Sequence, residues 1–162
     1  MSDLVPPEAQ AMVGEVTSGP VTAEITAKES QRYAQAVDDL NPLYFDEAAA
    51  QAAGYRTIIC PPTFLDHVVV SGRPLSDLRT DGLFRQPGSP RLAMKRVMFG
   101  GQEWDWEAPV HVGDTVTATQ RLAGVERKEG SRGPFALVTW ETTFVNQDGE
   151  VVARCRLQGI SR

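Results

Sequence analysis

Residues 33–64 decide the fold of this chain, and they read YAQAVDDLNPLYFDEAAAQAAGYRTIICPPTF. Two short helical patterns flank the polar turn DLNP, which places the carboxylate of Asp39 two residues before the amide of Asn41. Gly54 and an apolar run then lead to a double proline, after which a second apolar helical pattern begins near Thr63. This stretch concentrates most of the candidate chemistry of the chain.

Local signals predict two helices in and before this stretch. Thr26 and Glu29 have the spacing of a capping box, so we expect a helix to begin there. The Asn41-Pro42 pair should stop it, because a residue that precedes proline disfavours the helical region. Asp46 is expected to cap a second, shorter helix, from which Gly54 provides the left-handed exit.

The rest of the chain predicts a sheet around one buried helix. The sequence FLDHVVV after Pro62 is apolar enough for a largely buried helix, which tertiary packing must stabilise because valine is a weak helix former. A short strand is expected over residues 21–25. From residue 91 onward the hydrophobic period changes to two, and the candidate strands are RLAMKRVMF, GQEWDWEAPV, TVTATQRLAGVERKEG, PFALVTWETTFVN and EVVARCRLQGI. The sequence therefore predicts α+β architecture in one domain, residues 1–162, with an antiparallel sheet wrapped around a long central α-helix and a loose N-terminal arm over residues 1–12.

Composition excludes several classes of protein. A chain of 162 residues with 41% hydrophobic residues can bury a sizeable core. The net charge of -5, with dispersed Lys and Arg, argues against a nucleic-acid partner. No window approaches the roughly 20 apolar residues of a membrane span, and the start lacks a signal-peptide pattern, so we expect a cytoplasmic protein with no membrane partner. Cys60 and Cys155 are widely spaced without a CxxC motif, so no metal site, cofactor or disulfide is expected.

The quoted stretch, followed by GGQEWDWEAPVHVGDTV and VNQDGEVVA, resembles the MaoC-like dehydratases and, more closely, their FAS1-like dehydratase branch. A D-x-N-P turn, an alanine-rich helix ended by glycine, a PPTF helix start and a P-V-x-x-G-D motif before a strand occur in the same order. The resemblance covers about residues 13–160. It implies a hot-dog fold and dimers whose sheets join edge to edge, with acyl-CoA or acyl-carrier-protein thioesters bound at the subunit interface. Long strands also favour a dimer, since pairing removes an exposed sheet edge.

The resemblance implies catalytic positions in the polar turn. In hydratase members the motif supplies an Asp, an Asn two residues later and a His three residues after the Asn, and these positions fall on Asp39, Asn41 and Tyr44. Tyrosine has an unperturbed pKa near 10 and histidine one near 6.5, so Tyr44 would be a much weaker proton shuttle than the histidine it replaces. The turn also has a structural explanation, because Asx residues before proline often bond turn amides.

Substrate-binding positions follow from the same resemblance. The amides that open the central helix would meet the thioester oxygen, because free donors at a helix start favour developing negative charge. These residues are Pro62, Thr63 and Phe64, and the expected wall residues are Gly54 and Tyr55. Trp104 and Trp106 alternate on one strand face, where they either pack against the sheet or line an acyl groove.

Three functions fit this reading. The first is a hydro-lyase, either an enoyl-thioester hydratase or a 3-hydroxyacyl-thioester dehydratase. It would act as a homodimer or as the substrate-binding half of a heterodimer, in which a MaoC-like subunit contributes the complete Asp and His pair. The alternatives are a non-catalytic dimer that binds acyl thioesters and an acyl-CoA thioesterase, since the fold alone does not decide the function.

Overall fold

The computed structural model describes residues 4–70, 73–80, 82, 84, 88–92 and 96–162. The α-helices are α1 (Pro7–Ala11), α2 (Ala27–Ala36), α3 (Glu47–Ala52) and α4 (Asp66–Val70). Single 3₁₀ turns lie at Pro42–Tyr44, Pro62–Leu65 and Leu75–Asp77. The strands are β1 (Val16–Glu24), β2 (Val97–Trp106), β3 (Thr115–Gly130), β4 (Gly133–Val145) and β5 (Val151–Ser161).

The five strands form one open antiparallel sheet in the order β1-β3-β4-β5-β2, so β1 and β2 are its edges. The predicted strands RLAMKRVMF and GQEWDWEAPV contribute to a single strand, β2, and Gly100 and Gly101 do not separate them. The register with β5 shifts between Phe99 and Gly101, which is a bulge that keeps the pairing continuous. The first strand is also longer than the predicted residues 21–25.

The concave face of the sheet holds the central helix, as predicted. The 3₁₀ turn Pro62–Leu65 runs directly into α4. The buried side chains of Phe64, Leu65 and Val68 pack this helical segment into the core. The surrounding core cluster comprises Ile25, Cys60, Val110, Val116, Ala118, Phe144, Val152, Ala153 and Cys155. This architecture confirms the predicted hot-dog arrangement of an antiparallel sheet around a helix. The described part of that helix is shorter than the long rod we expected.

The prediction of a loose N-terminal arm is wrong for the residues that the structure describes, because they pack against the sheet. Within residues 4–12, α1 packs on the half of the sheet that the central helix does not cover. Val5 and Ala9 are buried in a second core cluster with Leu122, Val125, Ala136, Val138 and Trp140. The side-chain amide of Gln10 donates to the carbonyl of Val125 at 2.5 Å. The arm is ordered because long strands expose more apolar surface than one short helix can bury.

The predicted helix signals are confirmed at three of four ends. Thr26 Oγ1 accepts the Glu29 amide at 3.3 Å and donates to the Glu29 carboxylate at 2.6 Å. The Asp46 carboxylate accepts the amides of Ala48 and Ala49, and Gly54 leaves α3 with a φ of 92°. The end of α2 is the exception, because that helix stops at Ala36, well before the Asn-Pro pair. None of the helices in the described part of the chain is long and apolar enough to cross a membrane.

Candidate active site

The polar bend after α2 is built by backbone hydrogen bonds that reverse the chain. Asp38 adopts a left-handed φ of 57°, and the Asp39 amide donates to the carbonyl of Ala34 at 2.9 Å, which ends the helix in a Schellman motif. Asn41 then caps the 3₁₀ turn Pro42–Tyr44, because its side-chain oxygen accepts the Leu43 amide at 3.1 Å. The structural role expected for an Asx residue in this turn is therefore confirmed for Asn41.

Three predicted residues, Asp39, Asn41 and Tyr44, meet on this bend. Tyr44 is 6% exposed, whereas Asp39 and Asn41 are exposed. Burial raises the pKa of the Tyr44 phenol, and the charge and hydrogen bond of Asp39 raise it further, while the hydrogen bond from Asn41 opposes them. The phenol therefore remains protonated at neutral pH and can donate a proton to a hydrogen bond, but it cannot act as a base.

An apolar cavity of about 290 Å³ opens on the other side of the segment that follows Gly54. Two chain segments and the central helix form its walls, and the lining residues are Tyr55, Ile59, Cys60, Pro62, Leu65, Trp106, Glu107, Ala108, Pro109 and Val110. Two predicted substrate-binding residues, Tyr55 and Pro62, are among them. The size and lining are typical of a pocket for a small apolar group.

The other predicted substrate-binding residues lie outside the cavity lining. Gly54 ends α3, and the residue that follows it, Tyr55, lies in the cavity wall. The Thr63 hydroxyl bonds to the Tyr33 hydroxyl at 2.8 Å, on the side of the central helix that faces α2. Phe64 is in the core, with its ring centroid 5.7 Å from that of Tyr33.

Fewer of the predicted helix-start amides are free to bind a ligand than we expected. Pro62 has no N–H, and the Phe64 amide donates to the carbonyl of Pro61 at 3.0 Å. Thr63 is thus the one of these three residues whose amide could still meet a thioester oxygen.

Cys60 connects the polar bend to the cavity. Its buried thiol lines the cavity, and the amide of the neighbouring Ile59 donates to the carbonyl of Leu43 on the bend at 3.1 Å. Burial and the charge of Asp114 raise the pKa of the Cys60 thiol to about 12, so this thiol is a neutral wall group and not a nucleophile. The bend therefore lies directly behind one wall of the cavity.

The two tryptophans of β2 have different roles. Trp106 lines the cavity, as the groove reading predicted, while Trp104 packs against Phe144 with ring centroids 5.4 Å apart. The two indoles stack on each other at 4.6 Å. The predicted packing against the sheet is therefore confirmed for Trp104, whereas Trp106 lies in the lining of the cavity.

The second wall of the cavity, residues 107–110, was not predicted from the sequence, although Pro109 belongs to the P-V-x-x-G-D motif. That motif was a signal for the wall, but its contact with residues 58–60 links positions far apart in sequence. Within the described ranges, no group of three or more His, Cys, Asp or Glu side chains could hold a metal ion.

Comparison with known proteins identifies the family of the chain. The family described as FAS1-like, dehydratase domain region matches residues 11–155. A protein of Leifsonia xyli subsp. xyli named only as a UPF0336 protein is 34% identical over 134 residues, which cover 82% of each chain.

Two solved structures share the fold at low sequence identity. The HadBC (3R-hydroxyacyl-ACP dehydratase) complex of Mycobacterium tuberculosis gives a TM-score of 0.70 at 21% identity, over 93% of this chain and 97% of the other. The (R)-hydratase of A. caviae gives 0.62 at 23% identity, over 90% and 95%. The solved structures show that the chain shares their fold. With a family match over residues 11–155, the chain belongs to the family described as FAS1-like, dehydratase domain region.

Proposed function

We propose that this chain is a subunit of a hydro-lyase that hydrates an enoyl thioester, or dehydrates a 3-hydroxyacyl thioester, carried by CoA or acyl carrier protein. The observation that carries the proposal is the position of the bend of Asp39, Asn41 and Tyr44 behind the wall of an apolar cavity. The cavity would take the acyl group, because its apolar lining favours transfer of that group from water.

The bend supports only part of the required chemistry. Hydration needs a base that activates water, an acid that protonates the α-carbon and donors for the developing enolate oxygen. On the bend, the carboxylate of Asp39 would be the basic group, and the nearby protonated phenol of Tyr44 would be a hydrogen-bond donor. The chain has two histidines, and neither lies on the bend: His67 is on α4, and His111 contacts the carboxylate of Asp114.

A partner subunit would complete the acid and base pair. The edge strand β2 offers a surface for it, since Val97, Met98, Phe99 and Trp106 are all large, apolar and exposed. An unpaired edge of this length favours pairing with another strand. We propose that a MaoC-like subunit joins its sheet here and contributes an Asp and a His. The solved HadBC complex, one chain of which has the same fold as this chain, supports assembly with a second subunit.

The test is an absorbance assay of crotonyl-CoA hydration by the purified chain, alone and after mixing with a MaoC-like subunit. We expect no turnover by the chain alone and turnover by the mixture. Asp39→Asn in this chain and Asp→Asn in the partner then assign the base. Loss of activity in the partner variant, with full activity in Asp39→Asn, would show that Asp39 is not catalytic.

The two alternatives give different results in the same experiment. Release of free thiol without change in the enoyl group would identify a thioesterase. Heat of binding in calorimetry with acyl-CoA, without turnover in any mixture, would identify a binding subunit alone. Absence of both heat and turnover at high ligand concentration would contradict all three functions.

A further inference from the structure

Asp114 is a buried carboxylate at the start of β3, and three separate chain segments donate to it. It is 3% exposed. Its Oδ1 accepts from the guanidinium of Arg56 and, at 2.9 Å, from the side-chain amide of Gln147, while its Oδ2 accepts the backbone amide of His111 at 2.8 Å. Burial alone would raise the pKa of Asp114, but these donors outweigh burial and lower it. The carboxylate is therefore charged at neutral pH and accepts hydrogen bonds at both of its oxygens.

The segments that Asp114 joins are the two walls of the cavity. Arg56 adjoins Tyr55 and leads into Ile59 and Cys60, which form one wall, and His111 directly follows Val110 of the other. The walls also share a short backbone ladder. The Cys60 amide donates to the carbonyl of Val110 at 2.9 Å, and the Val112 amide donates to the carbonyl of Ile58 at 3.0 Å.

This ladder is only two hydrogen bonds long, and it joins segments that are not part of the sheet. A short ladder between irregular segments opens locally more easily than a long strand pair. The ion pair between Arg56 and Asp114 adds a side-chain link between the same two walls. This link is strong, because a charge-assisted hydrogen bond to a buried carboxylate is stronger than a neutral one.

We propose that Asp114, held by Arg56, is a positioning residue that fixes the spacing of the two cavity walls, so that binding in the cavity depends on an ion pair that does not line it. The part of this inference that concerns an acyl ligand rests on the proposed function. The part that concerns the order of the walls does not, and it can be tested without any substrate.

Arg56 is the better partner to change, because Asp114 is buried and its replacement could prevent folding. The Arg56 side chain is 56% exposed, so Arg56→Gln removes the charge and leaves no buried cation. Arg56→Lys keeps the charge but loses the planar fork of donors. A matched control is Arg156→Gln, which removes an arginine of comparable exposure, 47%, that pairs with Glu141 across β4 and β5.

Cys60 reports the order of the wall directly. Its thiol is buried in the wall, so reaction with a thiol reagent requires the wall to open. In the full-length chain carrying Cys155→Ala, we expect Arg56→Gln to raise the labelling rate of Cys60 at least about tenfold, the scale set by loss of one charge-assisted hydrogen bond. Arg56→Lys should give an intermediate rate, and Arg156→Gln should leave the rate unchanged. Equal rates in the Arg56→Gln and Arg156→Gln variants would overturn the proposal.

Kinetics of the mixture with a MaoC-like subunit give a second readout. Arg56→Gln should raise KM for crotonyl-CoA more than it lowers kcat, because the ion pair shapes the binding walls without contacting the reacting atoms. Faster Cys60 labelling in Arg56→Gln, together with no thioester turnover in the mixture that contains the parent chain, would support the positioning role and contradict the proposed function. Normal activity with unchanged labelling and unchanged KM in Arg56→Gln would contradict the positioning role alone.

Discussion

The phenol of Tyr44 and the carboxylate of Asp39 lie close together on the bend that follows α2, where the charge of Asp39 adds to the effect of burial and raises the pKa of the phenol. The resemblance described above implies that the phenol stands where hydratases carry a histidine, and the predictions for Tyr44 follow from that expectation. The bend thus keeps the carboxylate and replaces a group that titrates near neutral pH with one that stays protonated.

Tyr44→His should give the isolated chain hydratase activity. An imidazole beside Asp39 can exchange a proton near neutral pH, which the phenol cannot, and general acid and base catalysis of this kind contributes about 10²-fold or more. We expect measurable crotonyl-CoA hydration with a bell-shaped pH dependence. Tyr44→Phe is the matched control, and equal inactivity of both variants would show that the bend lacks the geometry for catalysis.

Alkaline pH should destabilise the parent chain more than Tyr44→Phe. Burial and Asp39 raise the pKa of Tyr44 above its ordinary value near 10. Above pH 10 the unfolded chain therefore releases this proton while the native chain retains it, so the native state loses stability as the pH rises. Denaturant unfolding at pH 9 and pH 11 measures the difference. Parallel declines in the two proteins would contradict the raised pKa.

Acid should reduce the stabilising effect of Asp114. The pKa of this carboxyl is lowered in the native state, so its contribution is present above the unfolded value near 3.9 and is lost as the pH falls below it. At pH 7 we expect Asp114→Asn to lower the free energy of unfolding by about 2 kcal/mol, because the amide cannot accept from all three donors. The deficit should shrink toward pH 3. The exposed Asp148→Asn provides the control, with little change at either pH.

Phe99→Lys should prevent association through β2. Phe99 is 71% exposed on the edge strand, so a charge there costs the monomer little but opposes burial against a partner. Sedimentation should show a dimer for the parent chain and a monomer for the variant. Leu75→Lys changes an equally exposed residue outside the sheet and should leave the dimer intact. A dimer in both variants would exclude β2 as the interface.

Gly159→Ala should destabilise the second core cluster. A Cβ at this position would lie 3.0 Å from the indole ring of Trp140, which is buried against the N-terminal arm. We expect a loss of about 1–3 kcal/mol in the free energy of unfolding, the usual cost of overpacking. Gly124→Ala is the control, since a Cβ there meets no atom within 4 Å. Equal stability of the two variants would contradict the close contact.

Predictions that rest on nearest neighbours in sequence agree closely with the structure. The caps at Thr26 and Asp46 and the left-handed exit at Gly54 depend on hydrogen bonds over a few residues, which the sequence contains in full. The hydrophobic period likewise placed β3, β4 and β5. The exception is the end of α2, where Asp38 adopts a conformation that glycine usually supplies and no glycine marked the stop.

Features that join distant segments could not be predicted in the same way. The continuity of β2 across Gly100 depends on its register with β5, and the order of the N-terminal arm depends on apolar surface that β3 and β4 leave uncovered. The cavity wall is a further case. Gly54, Thr63 and Phe64 are neighbours of lining residues in sequence, yet their side chains or backbones face other partners.

The sequence by itself determined the helix caps, the strand periods and, through its motifs, the family and the fold, because each of these is written in residues close together along the chain. Only the tertiary structure decided which residues line the cavity, and that Asp114 joins the two walls. These contacts link segments up to 58 residues apart, as in the pair of Arg56 and Asp114. Their formation depends on how the sheet, the helices and the connecting segments pack together.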